Sequence, residues 1–167
     1  MNKLLCVVIF VVCAPMAHTE PTDREQEVLA LINERRTLVN LPPMVLCSEM
    51  LQDSREWAKK LHGERLLYHW FGGRENCGRG YQTPRAIFNG WRVSPGHNAL
   101  LHCRGAVYGA IGEHENYWVL RVSSSKEDYR ERKERAISMV EFRTQAQNQR
   151  QSAYSRTLFP RVSRLLR

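Results

Sequence analysis

Apolar residues recur at helical spacing in the first third of the chain. Further on they alternate, and at the end they thin out among charges. Over residues 23–39, Val28, Leu29, Leu31, Ile32 and Leu38 make an apolar stripe with Arg and Glu on the other face, which predicts an amphipathic helix. Thr22 or Asp23 can cap its start, with Gln26 in capping-box reach, and Leu41-Pro42-Pro43 ends it because proline cannot extend a helix. Ser48 opens a second helix over residues 49–61, with Met50, Leu51, Trp57, Ala58 and Leu61 on its buried side and Gly63 as its stop. Residues 70–81 are rich in glycine and break the helical period. Thr83-Pro84 and Ser94-Pro95 then announce two short helices, each with a hydroxyl at the N-cap and proline in the first turn. The first carries Ile87, Phe88 and Trp91, the second His97, Leu100 and Leu101. Residues 106–111 and 117–122 read as two strands joined by the polar turn 112–116.

From Ser123 the pattern changes. Ser123-Ser124-Ser125 resembles a linker, and residues 126–150 are charge-dense and helix-permissive, with only Ile137, Val140 and Phe142 as a thin apolar seam. The expectation is an appendage over 124–167, part helical and part disordered, outside the core. Its charges include helix-spaced pairs such as Glu131 with Arg135. The chain of 167 residues is 43% apolar, enough for one compact domain, and collagen-like, mucin-like and polytopic membrane classes are excluded. Its formal charge of +8 raises nucleic acid or an anionic surface as partner. Residues 18–123, however, hold 13 Lys+Arg against 12 Asp+Glu, whereas 124–167 hold 11 against 5. The basic excess therefore belongs to the tail. It leaves nucleic acid disfavoured for the core and an anionic surface as a partner only through 124–167.

Residues 1–17 read as a secretory signal: Lys3, then an unbroken apolar run over 4–14 that is too short to span a bilayer. Cleavage after Ala17 is preferred over cleavage after Ala14 or a lipid anchor at Cys13, and a secreted or periplasmic, cell-envelope location follows. Removal of 1–17 leaves Cys47, Cys77 and Cys103, which in an oxidising compartment imply one disulfide and one thiol. Three pairings are open. Cys77 with Cys103, which flank the candidate site, is preferred. No CxxC occurs, so no structural zinc site is read.

His69, Glu75 and His97 are the polar residues that stand out in the middle of the chain. A strand through Glu75 packed beside the helix from Ser94 would place a carboxylate between two imidazoles. It would fix both ring tautomers and leave nitrogens to hold a divalent metal with water completing the shell. Trp70, beside His69, is the tryptophan most suited to line such a cleft.

The order His69, Glu75-Asn76, Gly80, Trp91, Ser94-Pro95-Gly96-His97, Gly109 and Tyr117-Trp118 behind two helices resembles the CAP superfamily. That superfamily comprises the cysteine-rich secretory, antigen 5 and pathogenesis-related class 1 proteins, and the resemblance is to its short prokaryotic SCP-like form. It covers about residues 24–122 and implies an α+β fold, a three-layer α-β-α sandwich, spanning 18–123. It also implies that His69, Glu75 and His97 are three members of a central tetrad of two histidines and two acids, braced by Asn76 and Trp91. The chain departs from that pattern: Arg92, Val93 and Ser94 occupy the stretch where the second glutamate falls. Arg74 stands where glycine is common, and Asn98 where arginine often follows the histidine.

Three readings follow. The first is an exported binding module, not requiring a cofactor, whose cleft of His69, Glu75, His97, Trp70 and Asn76 holds a small ligand, a partner segment or a loosely bound divalent metal such as zinc on His69 and His97. The second is a hydrolase with Glu75 as base toward a metal-bound water, which the missing second acid weakens. The third gives the working role to the basic tail, docking on an anionic envelope polymer or membrane.

Overall fold

The computed structural model describes residues 20–71 and 73–158, with side chains to residue 152. The signal, Cys6 and Cys13, and the end of the tail lie outside the described residues. Among the described residues nine elements follow one another: α1 (Asp23–Leu38), β1 (Val45–Leu46), α2 (Ser48–Glu64), β2 (Glu75–Arg79), α3 (Pro84–Val93), α4 (Pro95–Leu101), β3 (Tyr108–His114), β4 (Tyr117–Ser123) and α5 (Lys126–Leu158). The strands form one sheet in the order β1-β3-β4-β2, with β1 parallel to β3 and the other pairs antiparallel.

Alternation along the strands sorts the side chains into two layers. Ile111 of β3 and Trp118, Leu120 and Val122 of β4 pack with Val28 and Ile32 of α1, Ile87 and Trp91 of α3, and Leu100 and Leu101 of α4. Cys77 of β2 and Tyr117 and Val119 of β4 point the other way, onto Trp57, Ala58 and Leu61 of α2. The result is the α-β-α sandwich expected from the sequence. Glu115 and Asn116, both at positive φ, make the two-residue turn between β3 and β4, and its right-handed twist matches the flanking strands. β3 runs on to His114, past the expected 111, because this turn is shorter than the polar run 112–116.

Thr22 caps α1 in a reciprocal capping box with Glu25 rather than Gln26. The charged face expected for α1 is not uniformly solvated. Glu25 and Arg36 are both buried, whereas Leu38, counted in the apolar stripe, is exposed. Arg36 is accommodated because its guanidinium donates to four carbonyls, those of Pro42, Leu101, Cys103 and Ala106. Glu25 receives the Arg55 guanidinium and the backbone N–H of Glu113, tying α1 to α2 and β3. Helix α2 passes through Gly63 and ends at Arg65, which takes the left-handed conformation. Thr83 accepts from Ala86 N–H as an N-cap, but the Ser94 hydroxyl makes no capping bond; α4 starts from the Ser94 carbonyl alone.

The described part of the tail is one helix, and its start is not outside the core. Tyr129 is fully buried against Cys47, Met50, Leu51, Phe71 and Ala110, and Ala136 is buried one turn pair further on. Tyr129 donates to Asp53 at 2.6 Å, Lys133 pairs with Asp53 at 2.7 Å, and Arg130 pairs with Glu49 at 3.0 Å. Beyond Ala136 the apolar seam is exposed, as at Met139, Val140 and Phe142. The Glu131–Arg135 pair forms at 3.8 Å between solvated side chains. No helix among the described residues is long and apolar enough to cross a membrane.

Candidate functional site

Edge strand β2 carries consecutive side chains to opposite layers, and that alternation divides the site. Asn76 faces α4 and donates to the His97 carbonyl at 3.0 Å, fixing the start of α4 beside the strand. Glu75 faces the α2 layer with its side chain fully buried. Its carboxylate accepts the Trp70 backbone N–H at 3.1 Å, lies 3.4 Å from His69 Nδ1, and accepts Arg121 Nε at 3.0 Å. Among the described contacts Glu75 meets His69 but makes no hydrogen bond or ion pair with His97. The rings of His69 and His97 have centroids 6.5 Å apart, tilted by 50°.

These rings border a cleft of about 420 Å³ whose wall includes Arg74, Glu75, Asn76, Ser94, His97 and Cys103. Arg36 builds part of that wall indirectly, since two of its four carbonyl partners are Leu101, the last residue of α4, and Cys103 just beyond it. Trp91, the expected brace, is buried under β2 and donates its indole N–H to the Cys77 carbonyl at 3.3 Å.

Trp70 contributes its backbone to Glu75, but its ring turns to the α2 side. It stacks on Trp57 at 5.4 Å and borders the groove between α2 and α5. Arg121 is the site residue that the sequence reading passed over. Its guanidinium lies over the rings of both Trp70, at 4.9 Å, and Phe71, at 5.1 Å. Within the apolar strand Tyr117–Ser123, an arginine ordinarily reads as a solvent-facing position.

The preferred disulfide does not form. Cys47, Cys77 and Cys103 are all free thiols. Cys77 points into the α2 layer, toward Glu75 at 3.3 Å, while Cys103 lies at the cleft wall and accepts from Arg74 at 3.3 Å. The strand and its partner helix place the two sulfurs in different surroundings.

Burial would raise the Glu75 pKa, but His69, the Arg121 charge and the Trp70 N–H outweigh it and hold the carboxyl below its usual range. The hydrogen bond to Glu75 raises the His69 pKa against partial desolvation. Desolvation and the neighbouring His69 lower that of His97. A carboxylate already matched by a buried guanidinium is a poor proton acceptor, so the geometry gives Glu75 the role of orienting His69.

No protein-family model matches the sequence, and no curated protein matches it. Solved structures do. An extracellular protein containing an SCP domain from Bacillus anthracis superposes with a TM-score of 0.58 at 16% identity, covering 61% of this chain and 40% of that one. The fold is of the CAP type. An outer surface protein of Borrelia burgdorferi superposes with a TM-score of 0.51 at 20% identity, covering 62% of this chain and 97% of that one. The chain thus accounts for less than half of the Bacillus protein's length.

Proposed function

We propose that this CAP-type chain is an exported binding module whose edge cleft holds a small ligand bearing an anionic or hydrogen-bond-accepting group. The observation that carries this reading is the Glu75–Arg121 pair. With the carboxylate's charge matched inside the protein, the cleft presents Arg74, His69 and His97 and no unpaired acid. Its size suits a small molecule. Export is supported by the signal-like N-terminus and by the extracellular and outer-surface neighbours. A divalent ion such as zinc on His69 and His97 would be loosely held, since two imidazoles leave most of its shell to water.

Calorimetric titration with small anions (inorganic phosphate, acetate and citrate) tests the reading. Binding that is lost in both Arg74→Ala and His97→Ala supports it. Binding indifferent to both variants, or no binding by any of the three, removes the cleft from the account.

A further inference from the structure

Cys77 takes no part in the cleft, yet it completes a second constellation on the buried side of His69. Glu75 Oε1 is the common acceptor of the Trp70 N–H, of His69 Nδ1 at 3.4 Å and of the Cys77 thiol at 3.3 Å. One ligand atom each from His69, Glu75 and Cys77 lie within 4.8 Å of one another. Around them donors exceed acceptors. Trp57 Nε1, placed to favour a Cys77 thiolate, and Arg121 Nη2 are both buried without a hydrogen-bond partner. Buried donors left over beside a thiol call for an additional negative group, and deprotonated Cys77 would supply it.

We propose that His69, Glu75 and Cys77 form a zinc site in which Cys77 binds as the thiolate. An imidazole, a carboxylate and a thiolate are the donor set of this borderline-soft ion. Tetrahedral bonds of about 2.0–2.3 Å put ligand atoms roughly 3.3–3.8 Å apart. The two contacts to Glu75 already match that spacing, and His69, half-exposed on its loop, is the ligand able to close the third side. Burial and the neighbouring carboxylate keep the Cys77 thiol protonated without metal. On binding, zinc takes the place of that proton, which leaves to solvent, and His69 carries its own proton on Nε2. Arg121 stays on Glu75 Oε2, and solvent or a cleft ligand takes the fourth position. His69 borders the anion-binding cleft as well, but His97 belongs to that cleft alone and Cys77 to this site alone, so variants of those two residues tell the sites apart.

Cobalt(II) titration of the full chain, followed by zinc competition, tests the assignment. The expected result is a near-ultraviolet thiolate-to-cobalt charge-transfer band that zinc displaces, is lost in Cys77→Ser, and persists in Cys103→Ser and His97→Ala. His69→Gln should weaken zinc at least about tenfold. Should Cys77→Ser fail to fold, alkylation of the native chain decides: zinc should protect Cys77 and not Cys103. Absence of the band, its survival in Cys77→Ser, its loss in His97→Ala, or equal alkylation with and without zinc overturns the proposal. An anion affinity lost in His97→Ala while the cobalt band remains would support both sites independently.

Discussion

Arg121 Nε lies 3.0 Å from Glu75 Oε2, and neither side chain reaches solvent. The attraction of such a pair is offset by its desolvation, so the pair as a whole adds little; removing one partner is what costs. Arg121→Met should therefore destabilise the fold by about 3–5 kcal/mol, because Glu75 is left as a buried charge. The double variant Arg121→Met with Glu75→Gln should recover a substantial part of that loss. Urea denaturation of the four proteins in the cycle measures it. Additive losses would mean that the two side chains are stabilised by separate surroundings.

The placement of Tyr129 moves the working boundary of the domain past Ser123. Ending the chain at Ser123 removes a fully buried tyrosine and uncovers Phe71 and Ala110. The expected cost is about 3–5 kcal/mol, similar to emptying a large core side chain. Ending it at Thr144 leaves the packed turns in place and should change stability by less than about 0.5 kcal/mol. Thermal melts of the two shortened chains against the full one check both values.

What could be read in advance follows from how each residue's environment is determined. Helices α1 to α4 were legible because their period, prolines and caps are local properties, and Trp91 and Leu101 lie on the faces that period buries. His69, Glu75 and His97 were legible as a set by resemblance to a known order of motifs. Arg36, Arg121 and Tyr129 were not, because each is buried through partners far along the chain. Arg36 reaches carbonyls 65 to 70 residues away, and Tyr129 reaches Asp53. A charged residue in a pattern reads as solvated until the topology supplies its acceptors. The Cys77–Cys103 pairing failed for the related reason that proximity to one site does not fix the side of the sheet each sulfur faces.

Glu25 is one of the buried carboxylates through which stability depends on acid pH. Burial would raise its pKa, but the Arg55 guanidinium and the backbone N–H groups of Thr22 and Glu113 lower it below the ordinary value. Asp128 shifts the same way, to about 2, through the hydroxyls of Ser123 and Ser124 and the Arg132 guanidinium, which overcome its desolvation. For a lowered pKa the unfolded chain takes the proton first as pH falls. The contribution is therefore complete above the unfolded value, near ~4.3 for Glu, and is lost as pH drops through the folded one. Glu25→Gln should thus be less stable than the parent at pH 7, and the gap should narrow below about pH 4. Parallel denaturation curves at stepped pH give the difference. A gap constant down to pH 2 would show that Glu25 acts by shape and not by charge.

Gly112 is the position where β3 can approach α2 only without a side chain. A Cβ built there would lie 2.2 Å from both the Ser54 carbonyl carbon and the Arg55 nitrogen. These are backbone atoms inside a helix, so neither can swing aside as a flexible side chain would. Gly112→Ala must then push α2 off the sheet, which also disturbs Arg55 where it holds Glu25, and Asp53 where it anchors Tyr129 and Lys133. Overpacking usually costs about 1–3 kcal/mol; with rigid backbone on both sides the loss here should reach about 3 kcal/mol or more. Gly96→Ala, where an added Cβ meets nothing within 4 Å, serves as the control on the opposite layer and should leave stability within about 1 kcal/mol of the parent. Unfolding free energies from urea titration distinguish the two. Equal, small effects would show that α2 and β3 can separate at little cost, and that the close approach is not what holds that layer together.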